Sequence, residues 1–120
     1  MKKIEILKKL VQSVEKKNPE EIQAKVQGIP NPEKISYKGA NSSHVPDMVA
    51  RYETKQDIYF IEEKYNKNAL SEFLSKWLLF STEARKRGGK FYLYVPEKNL
   101  KEIADVIARK QIILELKKVS

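Results

Sequence analysis

The chain contains no cysteine, only one histidine and one tryptophan, and no uninterrupted apolar run of membrane-span length. Without cysteine there are no disulfides, no thiolate nucleophile and no thiolate zinc site, which suits a reducing compartment. A spanning helix needs about 20 consecutive apolar residues. The N-terminal MKKIEILKKLVQSVEKK is basic but lacks the continuous apolar core of a signal peptide. The expectation is a soluble, cytoplasmic protein that does not enter membranes. Aspartate is also scarce, confined to Asp47, Asp57 and Asp105, so each occurrence carries more information than a glutamate or a lysine.

What is present points to a folded chain with a charged partner. Hydrophobic residues make up 41% and charged residues 33%, a balance rich enough in apolar side chains to build a core. At 120 residues one domain spanning 1–120 is expected. The formal charge of +8 favours a polyanion such as nucleic acid, although a composition dominated by lysine gives the same sign without any binding role.

Ile4, Leu7, Leu10, Val11 and Val14 recur at helical spacing, so the first 17 residues predict an amphipathic helix. Asn18-Pro19-Glu20-Glu21 has the chemistry of a helix start and predicts a short second helix ending near Gly28. A loop follows, with one short strand around Ile35 to Lys38. Val45 to Tyr52 and Ile58 to Tyr65 predict a hairpin closed by a turn at Glu53 to Gln56. Leu70, Phe73, Leu74, Trp77, Leu78 and Ala84 predict the apolar stripe of a long helix stopped by Gly88-Gly89. Phe91 to Val95 reads as a strand, Leu100 to Ile107 as a helix and Ile112 to Leu116 as a last strand. The order implies an α/β domain: a small mixed sheet with a central hairpin and helices on both faces.

Charge sits oddly in that hairpin. Ile58 to Tyr65 carries apolar residues on both alternating faces, as a strand covered on both sides does, yet ends in Glu62-Glu63-Lys64. With the turn at Glu53 to Gln56, Asp47 lies directly opposite Glu62, close enough for both carboxylates to grip one cation. Lys64 shares their face, while Glu63 points away and offers only its backbone carbonyl. Opposed carboxylates repel unless a divalent ion is shared, and oxygen ligands favour Mg²⁺ or Mn²⁺. A metal so held acidifies water and polarises a phosphoryl oxygen, with Lys64 stabilising developing charge; the chemistry is phosphodiester hydrolysis.

At these residues the sequence resembles the PD-(D/E)xK nuclease superfamily, with its restriction-endonuclease-like fold. Pro46-Asp47 matches the PD element and Glu62-Glu63-Lys64 the ExK element. The context Ser42-Ser43-His44-Val45-Pro46-Asp47-Met48-Val49-Ala50, with Ile61-Glu62-Glu63-Lys64, is most similar to archaeal and viral Holliday junction resolvases. The resemblance runs from Ser42 to about Val95. It implies metal ligation by Asp47 and Glu62, a catalytic Lys64, a helix packed on the sheet, DNA as substrate and a homodimer. An acid from the first helix is often added in that family; Glu5 and Glu15 are the candidates here.

The ExK text alone says little, because it also occurs at Glu15 to Lys17, Glu53 to Lys55 and Glu115 to Lys117. Only Glu62 to Lys64 ends an apolar strand whose hairpin partner carries an aspartate. The competing reading has Asp47 capping a turn and Glu62 pairing with Lys64, or a nucleic-acid-binding or assembly module on the same fold whose site is silent. Candidate phosphate contacts are Ser42, Ser43, His44, Arg85, Lys86, Arg87 and Lys90. For the Arg85-Lys86-Arg87 run, complementing the helix dipole is an equal alternative. Trp77 is assigned to the core or a dimer interface.

Overall fold

A computed structural model describes residues 2–37 and 43–119. Lys3–Glu15 form α1, whose buried Leu7, Leu10, Val11 and Val14 lie on one stripe. Asn18 adopts a left-handed backbone (φ 57°) just beyond it, where a short polar side chain is tolerated. The chain then turns into a strand, not the expected second helix. β1, Glu21–Ala24, pairs antiparallel with β4, Met48–Arg51. The Glu20 N–H donates to the Arg51 carbonyl, and Ile22 and Ala24 pack toward α1. Sheet pairing and burial outweigh the local cap chemistry of Asn18-Pro19-Glu20-Glu21.

Two short strands, β2 (Ile35–Ser36) and β3 (Ser43–His44), pair as a separate ribbon. β4 is followed by β5, Gln56–Ile61, then α2 (Leu70–Lys86), β6 (Phe91–Val95), α3 (Glu97–Lys110) and β7 (Glu115–Lys118). The main sheet has the order β1-β4-β5-β6-β7, antiparallel through β5 and parallel beyond it. This is the mixed sheet expected, with the β4–β5 hairpin inside it and helices on both faces. Val49, Ile58, Phe60, Phe91, Leu93 and Val95 share one core with Trp77 and Phe80 of α2 and Ile103 and Val106 of α3. Met48, Ala50, Tyr59 and Ile61 share the other with α1. β5 is therefore covered on both sides, which is why it shows no polar alternation from Asp57 to Ile61.

The hairpin register differs from the expected one by two residues. Met48 opposes Tyr59 and Arg51 opposes Gln56, and the Tyr52 N–H donates to the Lys55 carbonyl at 2.8 Å, so the turn tightens to Glu53-Thr54. Continuing that register sets Asp47 against Phe60, with Glu62 diagonally across rather than directly opposite. β5 also ends at Ile61, and Glu62 to Tyr65 belong to no strand, although the Glu62 N–H still reaches the Tyr94 carbonyl of β6. In α2, Leu78 is exposed and Leu79 and Phe80 are buried, because the sheet lies on the Trp77/Phe80 side of the helix. β7 starts at Glu115, since Ile112 is used as a buried residue following α3. No described helix is long and apolar enough to cross a membrane.

The α2 to β6 corner depends on two glycines. Gly88 has φ 76°, a conformation that costs an L side chain. Gly89 lies against the start of β5: a Cβ there would overlap the Gln56 carbonyl oxygen and sit 2.6 Å from Asp57 Oδ1. That approach lets the Lys90 N–H donate to Asp57 Oδ1 at 2.9 Å. Gly89→Ala should therefore cost about 1–3 kcal/mol through overpacking, read as a lowered urea midpoint; an unchanged midpoint would contradict this packing.

Candidate active site

The topology gathers several chain segments at one end of the sheet. β4 begins and β5 ends there, and so does β1, because Ala24 pairs with Met48. β6 runs parallel to β5, and the Glu62 N–H donates to the Tyr94 carbonyl at 2.8 Å. α2, running back from the end of β5, brings its first turns to the same edge.

Asp47 is wholly buried. An unpaired carboxylate there would lose several kcal/mol of hydration, so its compensation is local and complete in charge. Oδ2 accepts the Ile61 N–H at 2.7 Å and meets Lys3 Nζ at 3.0 Å. Oδ1 has no hydrogen-bond donor among the described residues; Lys25 Nζ stands 3.6 Å away while donating to the Val45 carbonyl at 3.2 Å. The Asp47 N–H in turn donates to the Tyr59 carbonyl at 3.0 Å. The residue thus closes the β4–β5 ladder with both its backbone and its side chain.

Glu62 is 4% exposed. Its Oε1 accepts from Trp77 Nε1 at 3.1 Å and meets Lys76 Nζ at 2.7 Å. Trp77 is wholly buried, in keeping with its expected place in the core, and its indole N–H needs an acceptor that Glu62 supplies. The two carboxylates do not share one partner. They are linked through Phe60, whose ring centroid lies 4.4 Å from Lys3 Nζ and 4.3 Å from Lys76 Nζ. In place of the directly opposed carboxylates of the expected register, two ion pairs, Lys3–Asp47 and Lys76–Glu62, meet over one aromatic ring.

His44 belongs to the same cluster. Its ring meets the edge of Phe80 at 6.3 Å, and its titration senses the ion pair next to it. Burial lowers its pKa from the ordinary 6.5, the Lys76 ammonium lowers it further, and the Glu62 carboxylate opposes both. Ser43 is exposed on β3, and Ser42 lies outside the described residues. Lys64 is exposed on the irregular chain after Glu62 and enters no ion pair among the described residues; Lys76 stands beside Glu62 instead. Glu63 is half-buried next to it.

The other candidates lie elsewhere. Glu5 is exposed in the first turn of α1, and Glu15 lines an open groove of about 540 Å³ with Glu20, Glu21 and Asn18 at the far end of that helix. Arg87 donates to Gln56 Oε1 at 3.0 Å and Lys90 to Asp57, which sets the Arg85-Lys86-Arg87 run at the start of β5, opposite the carboxylates. Lys3, Lys25 and Lys76 were hidden in the sequence among many surface lysines. Two signals point toward them: Lys3 lies one turn below Leu7 on the buried stripe, and Lys76 precedes the buried Trp77 on the helix that leaves the Glu62 strand.

As donors for a divalent cation, the two carboxylates have suitable chemistry, and Asp47 Oδ1 has no hydrogen bond to lose among the described residues. No cluster of three or more acids, histidines or cysteines that could hold a metal occurs among the described residues, so water would supply most remaining positions.

Because the folded His44 prefers its neutral form, its contribution to stability is present above the unfolded value of 6.5 and is lost as pH falls through the lower folded value. In Lys76→Met the His44 pKa should rise, since a nearby positive charge is removed. Histidine ring shifts followed by NMR across pH 4–8 test this; an unmoved titration would separate His44 from Lys76.

Compared with known proteins, the chain matches no family model, no curated protein and no solved structure.

Proposed function

We propose that this chain is a metal-dependent DNA endonuclease of the restriction-endonuclease-like type, acting on phosphodiesters at the Asp47 and Glu62 end of the sheet. The observation that carries the reading is the burial of these two carboxylates on neighbouring strands beneath a rim of lysines. Each carboxylate has a structural partner, the Ile61 N–H for Asp47 and the Trp77 indole for Glu62, yet burying two charges for these bonds alone is costly. The helix packed on the sheet and the strand after Gly88-Gly89 also agree with what the PD-(D/E)xK resemblance implies. Asp47 and Glu62 would hold Mg²⁺ or Mn²⁺, which when bound supplies positive charge at the scissile phosphate and an acidified water.

The protein groups have separable tasks. Ile61 N–H and Trp77 Nε1 orient one oxygen of each carboxylate. A lysine beside Glu62 stabilises charge on the phosphoryl oxygens. In hydrolysis, the water oxygen bonds to phosphorus and gives up a proton, while the bond from phosphorus to the departing sugar oxygen breaks and that oxygen is protonated. The formal charge of +8 supplies sequence-independent affinity. Branched DNA, two copies acting as a homodimer, and a cytoplasmic setting are the finer parts of this proposal, taken from the resolvase resemblance and the composition.

A second reading has its own support. Lys3, Lys25 and Lys76 already neutralise both carboxylates, as a silent DNA-binding or assembly module on this fold would require. The two readings part on a labelled panel of four-way junction, flap, single strand and linear duplex with Mg²⁺ or Mn²⁺. Wild type should nick at least one of these, and Glu62→Ala should lower the rate by a factor on the order of 10²–10³. DNA binding with no cleavage of any substrate would favour the silent module.

A further inference from the structure

We propose that Lys76, rather than Lys64, is the lysine that works with Glu62 on the scissile phosphate. The inference rests on the nuclease reading and goes beyond it in naming the residue. Lys76 Nζ is 2.7 Å from Glu62 Oε1, and its side chain is 14% exposed. The ammonium lies 4.3 Å from the Phe60 ring centroid and 5.1 Å from that of Phe73. Its neighbour in sequence, Trp77, holds the same carboxylate oxygen. A group that must stabilise transition-state charge needs this kind of support, a regular element and packed rings that hold it before substrate arrives. Lys64, exposed on irregular chain, has none of it.

The surroundings also give Lys76 a reason to leave Glu62 when substrate binds. Its ammonium has three donors, and Glu62 Oε1 has a second partner in the Trp77 indole N–H. Were Glu62 to hold a divalent cation, the Lys76 ammonium would be free to donate to a phosphoryl oxygen. In the unloaded protein the same ammonium competes with any cation for Glu62. Lys76 thus has two consequences that Lys64 lacks: it weakens cation binding and it speeds the chemical step.

Calorimetric titration of the full-length protein with Mn²⁺ reads the first consequence, and single-turnover cleavage of the best substrate in the panel reads the second. Lys76→Met, which keeps an apolar stem against Phe60 and Phe73, should bind Mn²⁺ roughly fivefold more tightly. Its single-turnover rate should fall on the order of 10²-fold, with Lys76→Arg recovering part of that loss. Lys64→Met should leave Mn²⁺ affinity unaltered, and its loss of rate should be the smaller of the two. Unchanged Mn²⁺ affinity in Lys76→Met, or a larger rate loss in Lys64→Met, would overturn the assignment. Tighter Mn²⁺ binding in Lys76→Met without cleavage by wild type would sink the nuclease reading and with it any role of Lys76 at a scissile phosphate, leaving only its competition with the cation for Glu62. No Mn²⁺ binding by wild type would sink both.

Discussion

The burial of the Asp47 carboxylate, at the point where β4 and β5 begin to pair, constrains everything around it. A charge with no exposure must be matched at once, and the match comes from three segments far apart in sequence. The Ile61 N–H belongs to the end of β5, Lys3 to the first turn of α1 and Lys25 to the chain leaving β1. One side chain therefore ties the first helix, the edge strand and the central hairpin at a single edge. Glu62 repeats the arrangement on the other side of Phe60, joining the end of β5 to α2 through Lys76 and Trp77.

The sheet topology makes that edge different from the opposite one. At the start of β5, Asp57 is also buried, but it accepts the Lys90 N–H across the tight Gly88-Gly89 corner and pairs with Lys55. There the carboxylate has a sufficient structural task. At the end of β5 Asp47 and Glu62 are held by the ammonium groups of Lys3, Lys25 and Lys76, and Asp47 Oδ1 has no hydrogen bond among the described residues. The proposed exchange of ammonium groups for an external cation rests on the three lysines at this edge, where Asp57 has one, Lys55, beside the Lys90 N–H. The contrast between the two ends, more than the presence of acids as such, supports a functional reading of Asp47 and Glu62.

Much of the fold was legible because its elements obey local rules. The stripe Leu7, Leu10, Val11 and Val14, the double-sided β5, the strand Phe91 to Val95 and the buried Trp77 follow from periodicity and burial alone. Asp47 and Glu62 stood out because charge interrupts apolar strands. What was not legible depends on pairing between segments. β1 has the text of a helix start, and only the backbone of β4 makes it a strand. The hairpin register turned on whether Tyr52 faces Asp57 or Lys55, and both alternatives place Asp47 and Glu62 at the same end of the sheet. Lys3, Lys25 and Lys76 resemble every other lysine in a lysine-rich chain until the fold brings them to a buried carboxylate.

The central claim is that the Asp47 and Glu62 edge accepts a divalent cation in exchange for its own ammonium groups. Crystals soaked in Mn²⁺ and measured at the manganese absorption edge test it directly. The account predicts an anomalous peak within coordination distance of the Asp47 and Glu62 carboxylates, with the Lys76 ammonium moved off Glu62. No peak at that edge, with the Lys3–Asp47 and Lys76–Glu62 pairs both intact, would show a finished ionic network and contradict the account.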